Sequence, residues 1–297
     1  MRIAVTGSKG QVVSALAQRG PISGATILPA GRPDLDLLDQ ATVFPALERL
    51  KPDVIVSAAA YTAVDKAETD RDSCWRINAG GAGLIAAAAR NLGVPVIHLS
   101  TDYVFDGTKE TAWVESDPVG PLNVYGASKL AGEFAVSAAN PDHVILRVAW
   151  IVSPFGNNFV KTMLRLGSTR DAINVVADQY GGPTSALDVA DGILSVAANL
   201  LRSPEDTALR GTFHMVPEGT ASWAELASAV FLEAEPFLGK RVQVNPIAAL
   251  DYPVPAARPA NSTMDGTKLF NVHGVQLPDW HSSISHIVKT INTEAQF

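Results

Sequence analysis

A chain of 297 residues is long enough for one large domain or two of about 150 residues, and its 47% hydrophobic and 18% charged residues are a globular balance that excludes extensive disorder. With 30 acidic and 23 basic residues, the formal net charge of −7 argues against general binding to nucleic-acid phosphates. The single cysteine, Cys74, excludes an intrachain disulfide, no apolar run reaches the about 18 residues of a membrane span, and the N-terminus lacks a signal peptide's apolar region, so a soluble cytoplasmic protein is expected.

The first half alternates strand and helix patterns. Arg2–Thr6 is a short β-branched run, Gln11–Arg19 is helical in composition, and Ala25–Ala30 reads as a second strand. Gln40–Leu50 follows as a helix stopped by Lys51-Pro52, then Asp53–Ser57 as a near-continuous apolar strand. The Ala-rich stretch Ser73–Leu92 predicts one long helix closed by Gly93, and within it Cys74 reads as a small buried residue. Pro95–Leu99 is a fourth strand, Asn123–Ala139 a helix and His143–Val148 a fifth strand. This alternation predicts an α/β fold with a doubly wound parallel sheet of the Rossmann type. Beyond residue 150 the pattern loosens. Ala186–Leu201 and Ser222–Leu232 look helical, Gly211–Val216 looks like a strand, and Tyr252–Pro259 reads as an ordered loop. The expected division is a dinucleotide-binding domain over 1–150, completed by 182–215, with 151–181 and 216–297 forming a smaller, irregular substrate-binding domain.

In a doubly wound sheet, ligands lie beyond the carboxyl ends of the strands. The first such turn is Thr6-Gly7-Ser8-Lys9-Gly10-Gln11-Val12-Val13. Gly7 permits a tight turn, and Gly10 lets main-chain N–H groups at the helix start approach a pyrophosphate, with Gln11 and Val12 next in line. Val13 stands where a third glycine would complete the pattern. After the second strand no acid sits at the tip. Arg32 is placed there to meet a 2′-phosphate, which favours NADPH, with NADH possible; a solvated loop arginine is the alternative. Asp36, Leu37 and Asp39 lie further along.

The third and fourth strands lead into Ala58–Lys66 and Ser100–Gly107. Tyr125 and Lys129 then share one face of a helix, four residues apart. A lysine ammonium beside a phenol lowers its pKa, making Tyr125 a usable proton donor to a developing alkoxide, and Thr101 can hydrogen-bond the carbonyl oxygen. Of the remaining polar residues, His98 reads as core, Arg147 as a buried cation paired with an acid, and Asp65, Lys66 and Glu68 as an exposed salt-bridged turn. Asp65 and Asp102 are also placed to bond sugar hydroxyls.

The strings GSKGQV, SAAAYTAVDKAE, STDYVFDG, PLNVYGASKLAGE, RVAWIVSPFGNNFVKTML, DQYGGPT and LPDW run from residue 7 to residue 280. On them the chain resembles the extended short-chain dehydrogenase/reductases and, within these, the dTDP-4-dehydrorhamnose reductase family. The resemblance implies NAD(P)H-dependent reduction of the C4 ketone of dTDP-4-dehydro-6-deoxy-L-mannose, the last step of dTDP-L-rhamnose synthesis. It implies Tyr125 as proton donor with Lys129 and Thr101 as partners. It further implies cofactor contacts at Gly10, Gln11, Val12, Asp36, Leu37, Ala60, Tyr61 and Thr62, and nucleotide-sugar contacts at Thr101, Asp102 and Trp150; burial alone also accounts for Trp150. Some family members dimerise around a magnesium ion held by acids at positions matched here by Ala15 and Leu187. Neither can ligate a hard cation, so no metal is expected and a monomer is favoured, with a dimer not excluded. The competing functions are another nucleotide-sugar epimerase or ketoreductase of the superfamily, or a non-catalytic NADP-binding regulatory subunit. No nucleic-acid or membrane partner is expected.

Overall fold

The computed structural model describes residues 1–294. Its first half runs β1 (Arg2–Thr6), α1 (Gln11–Arg19), β2 (Thr26–Ala30), α2 (Gln40–Leu50), β3 (Val54–Ser57), α3 (Val64–Ala67) and α4 (Arg71–Trp75). A π-helical segment, Arg76–Gly81, leads into α5 (Ala82–Leu92), β4 (Val96–Thr101), α6 (Val124–Ala139) and β5 (His143–Val148). The second half contributes β6 (Ile151–Val152), α7 (Phe159–Thr169), β7 (Ala172–Val176), β8 (Tyr180–Gly181), β9 (Thr184–Ser185), α8 (Ala186–Arg202) and β10 (Gly211–His214). It ends with β11 (Ala221–Ser222), α9 (Trp223–Leu238), β12 (Gln243–Ile247), α10 (Thr267–His273) and α11 (Trp280–Glu294).

Six parallel strands form the central sheet in the order β10-β5-β4-β3-β1-β2. The apolar strands are buried on both faces, as their near-continuous β-branched runs require. On one face Val5, Val56 and Leu146 pack with Leu16 of α1 and Ile193 of α8. On the other, Ile55 and Ile145 pack with Leu47 of α2 and Ile85 of α5. Each such aliphatic side chain contributes about 1.5–3 kcal/mol on full burial. A separate core joins α7, α9 and α11 through Val160, Phe231 and Ile284. Among the described residues, no helix is long and apolar enough to cross a membrane.

The long helix expected over Ser73–Leu92 is interrupted. Arg76–Gly81 is π-helical, and there α6 comes so close that a Cβ on Gly132 would lie 2.3 Å from the Asn78 carbonyl oxygen. Helix α7 and the parallel pair β7–β12 were not signalled by the sequence pattern; Ala172 of β7 pairs with Gln243 of β12, a contact no local periodicity encodes.

Candidate active site

The order in which strands are added reverses between β1 and β3, and the carboxyl ends of these strands open a cleft of about 820 Å³. The Thr6 hydroxyl accepts hydrogen bonds from the N–H groups of Ala58 and Ala59, both at 3.0 Å, and so ties the two strand ends together. Gly7 turns the chain with φ +103°, a left-handed conformation that favours glycine. The first turn of α1 is free of side-chain caps, since its N-cap is Gly10. Its N–H groups, with the helix dipole behind them, suit a pyrophosphate at the cleft floor. Val13, in place of a third glycine, is buried, and one of its methyl groups covers Gly7.

The structure brings Gly7, Gly10, Gln11 and Val12 to this cleft, together with Arg32, Asp36 and Leu37 at its β2 end. Arg32 is exposed. Asp36 has one carboxylate oxygen occupied by the Leu38 N–H at 3.0 Å, while Asp39 lies outside the cleft and caps α2 through Ala41 N–H. Gln11 also fastens α1 to the second half: its Oε1 accepts from the Ser153 hydroxyl at 2.7 Å and from Asn158 Nδ2 at 3.0 Å. Ala60 and Thr62 face the cleft, but Tyr61 does not line it. Its phenol instead donates to Asp70 at 3.1 Å, and its main-chain N–H donates to Asn78 Oδ1 at 2.8 Å.

Thr101, Asp102, Tyr125, Lys129 and Trp150 line the same cleft. Asn123 caps α6 through the Gly126 N–H and starts the helix that carries Tyr125 and Lys129. Gly126 has no room for a side chain, because a Cβ there would lie 2.2 Å from the Tyr103 carbonyl. The Lys129 ammonium is buried and donates to the Leu99 carbonyl at 2.5 Å, with His98 Nε2 at 3.5 Å. Burial lowers its pKa to about 8, against the opposing fields of Glu133 and Cys74. Tyr125 behaves differently from the sequence expectation. Burial pushes its phenol well above the ordinary range, and Lys129 is not among the groups that offset this; only the Thr101 hydroxyl works downward. The ammonium is engaged with the sheet's backbone, and the phenol stays firmly protonated. The Thr101 hydroxyl donates to Asp102 Oδ1 at 2.9 Å, and burial raises the Asp102 pKa to about 6.

Behind this row, Arg147 makes a two-pronged ion pair with Glu133, at 2.9 and 2.8 Å, and Ser100 donates to the same carboxylate at 2.5 Å. Arg147 thus pairs an acid and His98 is core, as read from the sequence. Asp65 is a correction. Both of its oxygens are held by Arg258, at 3.0 and 2.8 Å, and it lies outside the cleft, so it is not available to a sugar hydroxyl. The ion pair holds its carboxyl below the usual range. Asn78, Asn158 and Trp223 were not singled out from the sequence. Trp223 carried a usable signal, since Ser222 and Glu225 form a capping box that fixes the start of its helix.

An uncapped helix start under a glycine turn, a tyrosine and lysine on one helix face and a threonine at the end of β4 define a dinucleotide-dependent protein of the extended short-chain dehydrogenase/reductase class. Residues 1–293 match the family described as RmlD substrate binding domain. The chain is 48% identical over 297 residues to a Sinorhizobium fredii protein named dTDP-4-dehydrorhamnose reductase, covering 100% of this chain and 99% of that one. A Clostridium acetobutylicum dTDP-4-dehydrorhamnose reductase structure superposes with a TM-score of 0.88 at 36% identity, covering 98% of this chain and 99% of that chain. The enzyme of the same name from Bacillus anthracis, solved in complex with NADP, also gives a TM-score of 0.88, at 34% identity and coverage of 97% and 99%. The chain belongs to the dTDP-4-dehydrorhamnose reductase family.

Proposed function

We propose that this protein reduces the C4 ketone of dTDP-4-dehydro-6-deoxy-L-mannose with NADPH, giving dTDP-L-rhamnose in the last step of its synthesis. The observation that carries this reading is the convergence of Thr101, Tyr125 and Lys129 on one cleft in a chain of this family. When bound, NADPH supplies the hydride. The N–H groups at Gly10, Gln11 and Val12 would hold its pyrophosphate, and Arg32 would meet the 2′-phosphate. Asp36 and Leu37 border the adenosine, and Ala60, Thr62 and the backbone of Tyr61 border the remainder. Lys129, whose ammonium has donors beyond the one given to Leu99, would hold the nicotinamide ribose hydroxyls.

Tyr125 gives the proton to the developing alkoxide. The phenol is protonated at neutral pH, so the proton is in place, and the Thr101 hydroxyl works against the rise that burial imposes on its pKa. The Thr101 hydroxyl, which donates to Asp102, has only to rotate to reach the carbonyl oxygen. Asp102 borders the sugar and accepts from the Thr101 hydroxyl on Oδ1, while its Oδ2 is buried with no hydrogen-bond partner among the described residues. Trp150 borders the sugar. In this reading residues 1–150 with 182–215 form the dinucleotide-binding domain, and 151–181 with 216–297 bind the substrate. A reducing compartment, the cytoplasm, fits the single buried thiol.

The chemistry requires a hydride and a proton and no Lewis acid. Ala15 and Leu187 are buried in the contact between α1 and α8 and carry no ligating atoms. Hence we expect neither a metal requirement nor a metal-held dimer. Light scattering and turnover measured with and without EDTA check this, the expected result being no change in either.

Following NADPH loss on addition of each candidate dTDP-4-keto sugar tests the reductase reading. Rapid loss with the L-lyxo-configured 4-ketone is expected. No loss with any of them would leave the epimerase or regulatory-subunit reading.

A further inference from the structure

Trp150 follows β5 with φ +43°, a left-handed conformation that a bulky residue adopts only where its surroundings impose it. Two contacts impose it here. Its indole stacks on Trp223 with ring centroids 3.5 Å apart and planes 5° from parallel, and Phe159 backs Trp223 at 4.9 Å. Against Gly181, a Cβ would lie 2.4 Å from Trp150 Cε2, so only glycine leaves room for the indole where it stands. The short antiparallel pair β8–β11 brings these clamps together, since Ala221 registers with Gly181 and Ser222, next to Trp223, registers with Tyr180. Trp150 and Trp223 are both half-buried and both border the cleft that holds Tyr125 and Thr101.

We propose that Trp223 and Gly181 are specificity-determining positioning residues: they clamp the Trp150 indole as a rigid apolar wall against the sugar of the nucleotide-sugar substrate. The inference rests on the reductase reading and deepens it. The face of the indole carries no charge or donor for a diphosphate, since its one donor, the ring N–H, lies at the edge beside Gly181. It suits the C–H face of a 6-deoxy sugar, whose methyl group would lose its contact if the indole tilted. Because the reacting carbonyl belongs to that sugar, the wall sets which face of the ring meets Tyr125 and the cofactor.

The test uses the full chain and steady-state kinetics with NADPH and dTDP-4-dehydro-6-deoxy-L-mannose. Trp223→Leu and Gly181→Ala are each expected to raise KM for the sugar nucleotide about three- to tenfold, the scale of a lost aromatic contact. KM for NADPH and inhibition by dTDP alone should stay at wild-type values, and Trp223→Phe, which keeps an aromatic face, should restore most of the loss. An equal rise in both KM values, or a fall in kcat alone, would overturn the proposal, because a merely structural role would act that way. Weakened dTDP inhibition would also overturn it, by assigning the wall to the base. If Trp223→Leu fails to fold, Gly181→Ala decides, since it adds a single methyl group. Absence of turnover in the wild-type protein would refute the reductase reading itself, whereas wild-type turnover with unaltered variants would refute only the clamp.

Discussion

On one wall of the cleft, Lys129 and Thr101 are fixed by hydrogen bonds to Leu99 and Asp102, all within the single strand–helix unit β4–α6. On the other wall, Trp150 is fixed by ring contact with Trp223 and by the bare backbone of Gly181, three residues far apart in the chain. Directional bonds hold a polar group where a proton must move, and they fail abruptly when one partner is lost. Flat packing holds a surface where a substrate must lean, and it degrades by increments. The polar wall should therefore respond to substitution in rate and stability, and the aromatic wall in substrate affinity.

The sharpest break in that comparison is Tyr125→Phe, which removes the phenolic proton and little else. Turnover is expected to fall about 10²–10⁴-fold, with NADPH binding retained. Near-normal turnover would remove Tyr125 from the proton-transfer role. Next comes Glu133→Gln, deep behind the same wall. It leaves the Arg147 guanidinium buried opposite a neutral amide, and breaking a buried pair in this way costs about 3–5 kcal/mol. Urea unfolding should show a lower midpoint at unchanged m. An unshifted midpoint would mean that the pair's desolvation cost balances its attraction.

A smaller effect is expected where the cleft opens to solvent. Arg32 is exposed, and no carboxylate stands at the tip of β2 to select the ribose hydroxyls of NADH. Arg32→Ala should weaken NADPH about ten- to a hundredfold and NADH far less, the scale of one charge-assisted contact. Equal losses for both cofactors would make Arg32 a surface residue only.

The same contrast between walls explains what the sequence made legible. The glycine turn, the residues after β3 and β4, and the spacing of Tyr125 and Lys129 are local, and the structure gathers Gly7, Gly10, Ala60, Thr62, Thr101, Asp102, Tyr125 and Lys129 on one cleft. The Tyr61 side chain points away from the cleft because neighbours along a chain can face opposite ways, and its partner, Asp70, immediately precedes the next helix. The lysine's effect on Tyr125 was misjudged for a different reason. Shared helix position says nothing about what else the ammonium bonds, and here a backbone carbonyl takes it. Trp223 and Asn158 escaped notice because their relation to the cleft depends on contacts across long stretches of chain, which periodicity does not encode. Asp65 was read correctly as part of a salt-bridged turn and wrongly as a sugar ligand, since Arg258 lies almost at the other end of the sequence.

The mildest expected effect is a pH response that separates rate from stability within the polar wall. Lys129 has its pKa lowered to about 8, chiefly by burial, so its ammonium is present below that pH and lost above it. Tyr125 has its pKa raised, so it remains an acid across the same range. Asp102, raised to about 6 by burial, is ionised above that value and then holds the Thr101 hydroxyl as a carboxylate acceptor. The rate is therefore expected to peak between about pH 6 and 8, falling about tenfold per unit on the alkaline side. Stability should move the other way there. A lysine whose folded pKa is depressed binds fewer protons in the native state than in the unfolded chain between about 8 and 10.4, and its contribution to stability rises with pH over that window. Turnover and thermal unfolding recorded side by side from pH 6 to 10 check this. An alkaline fall in rate that coincides with a fall in melting temperature would mean that the limb reports unfolding, and Lys129 would lose its place as the group that titrates in the cleft.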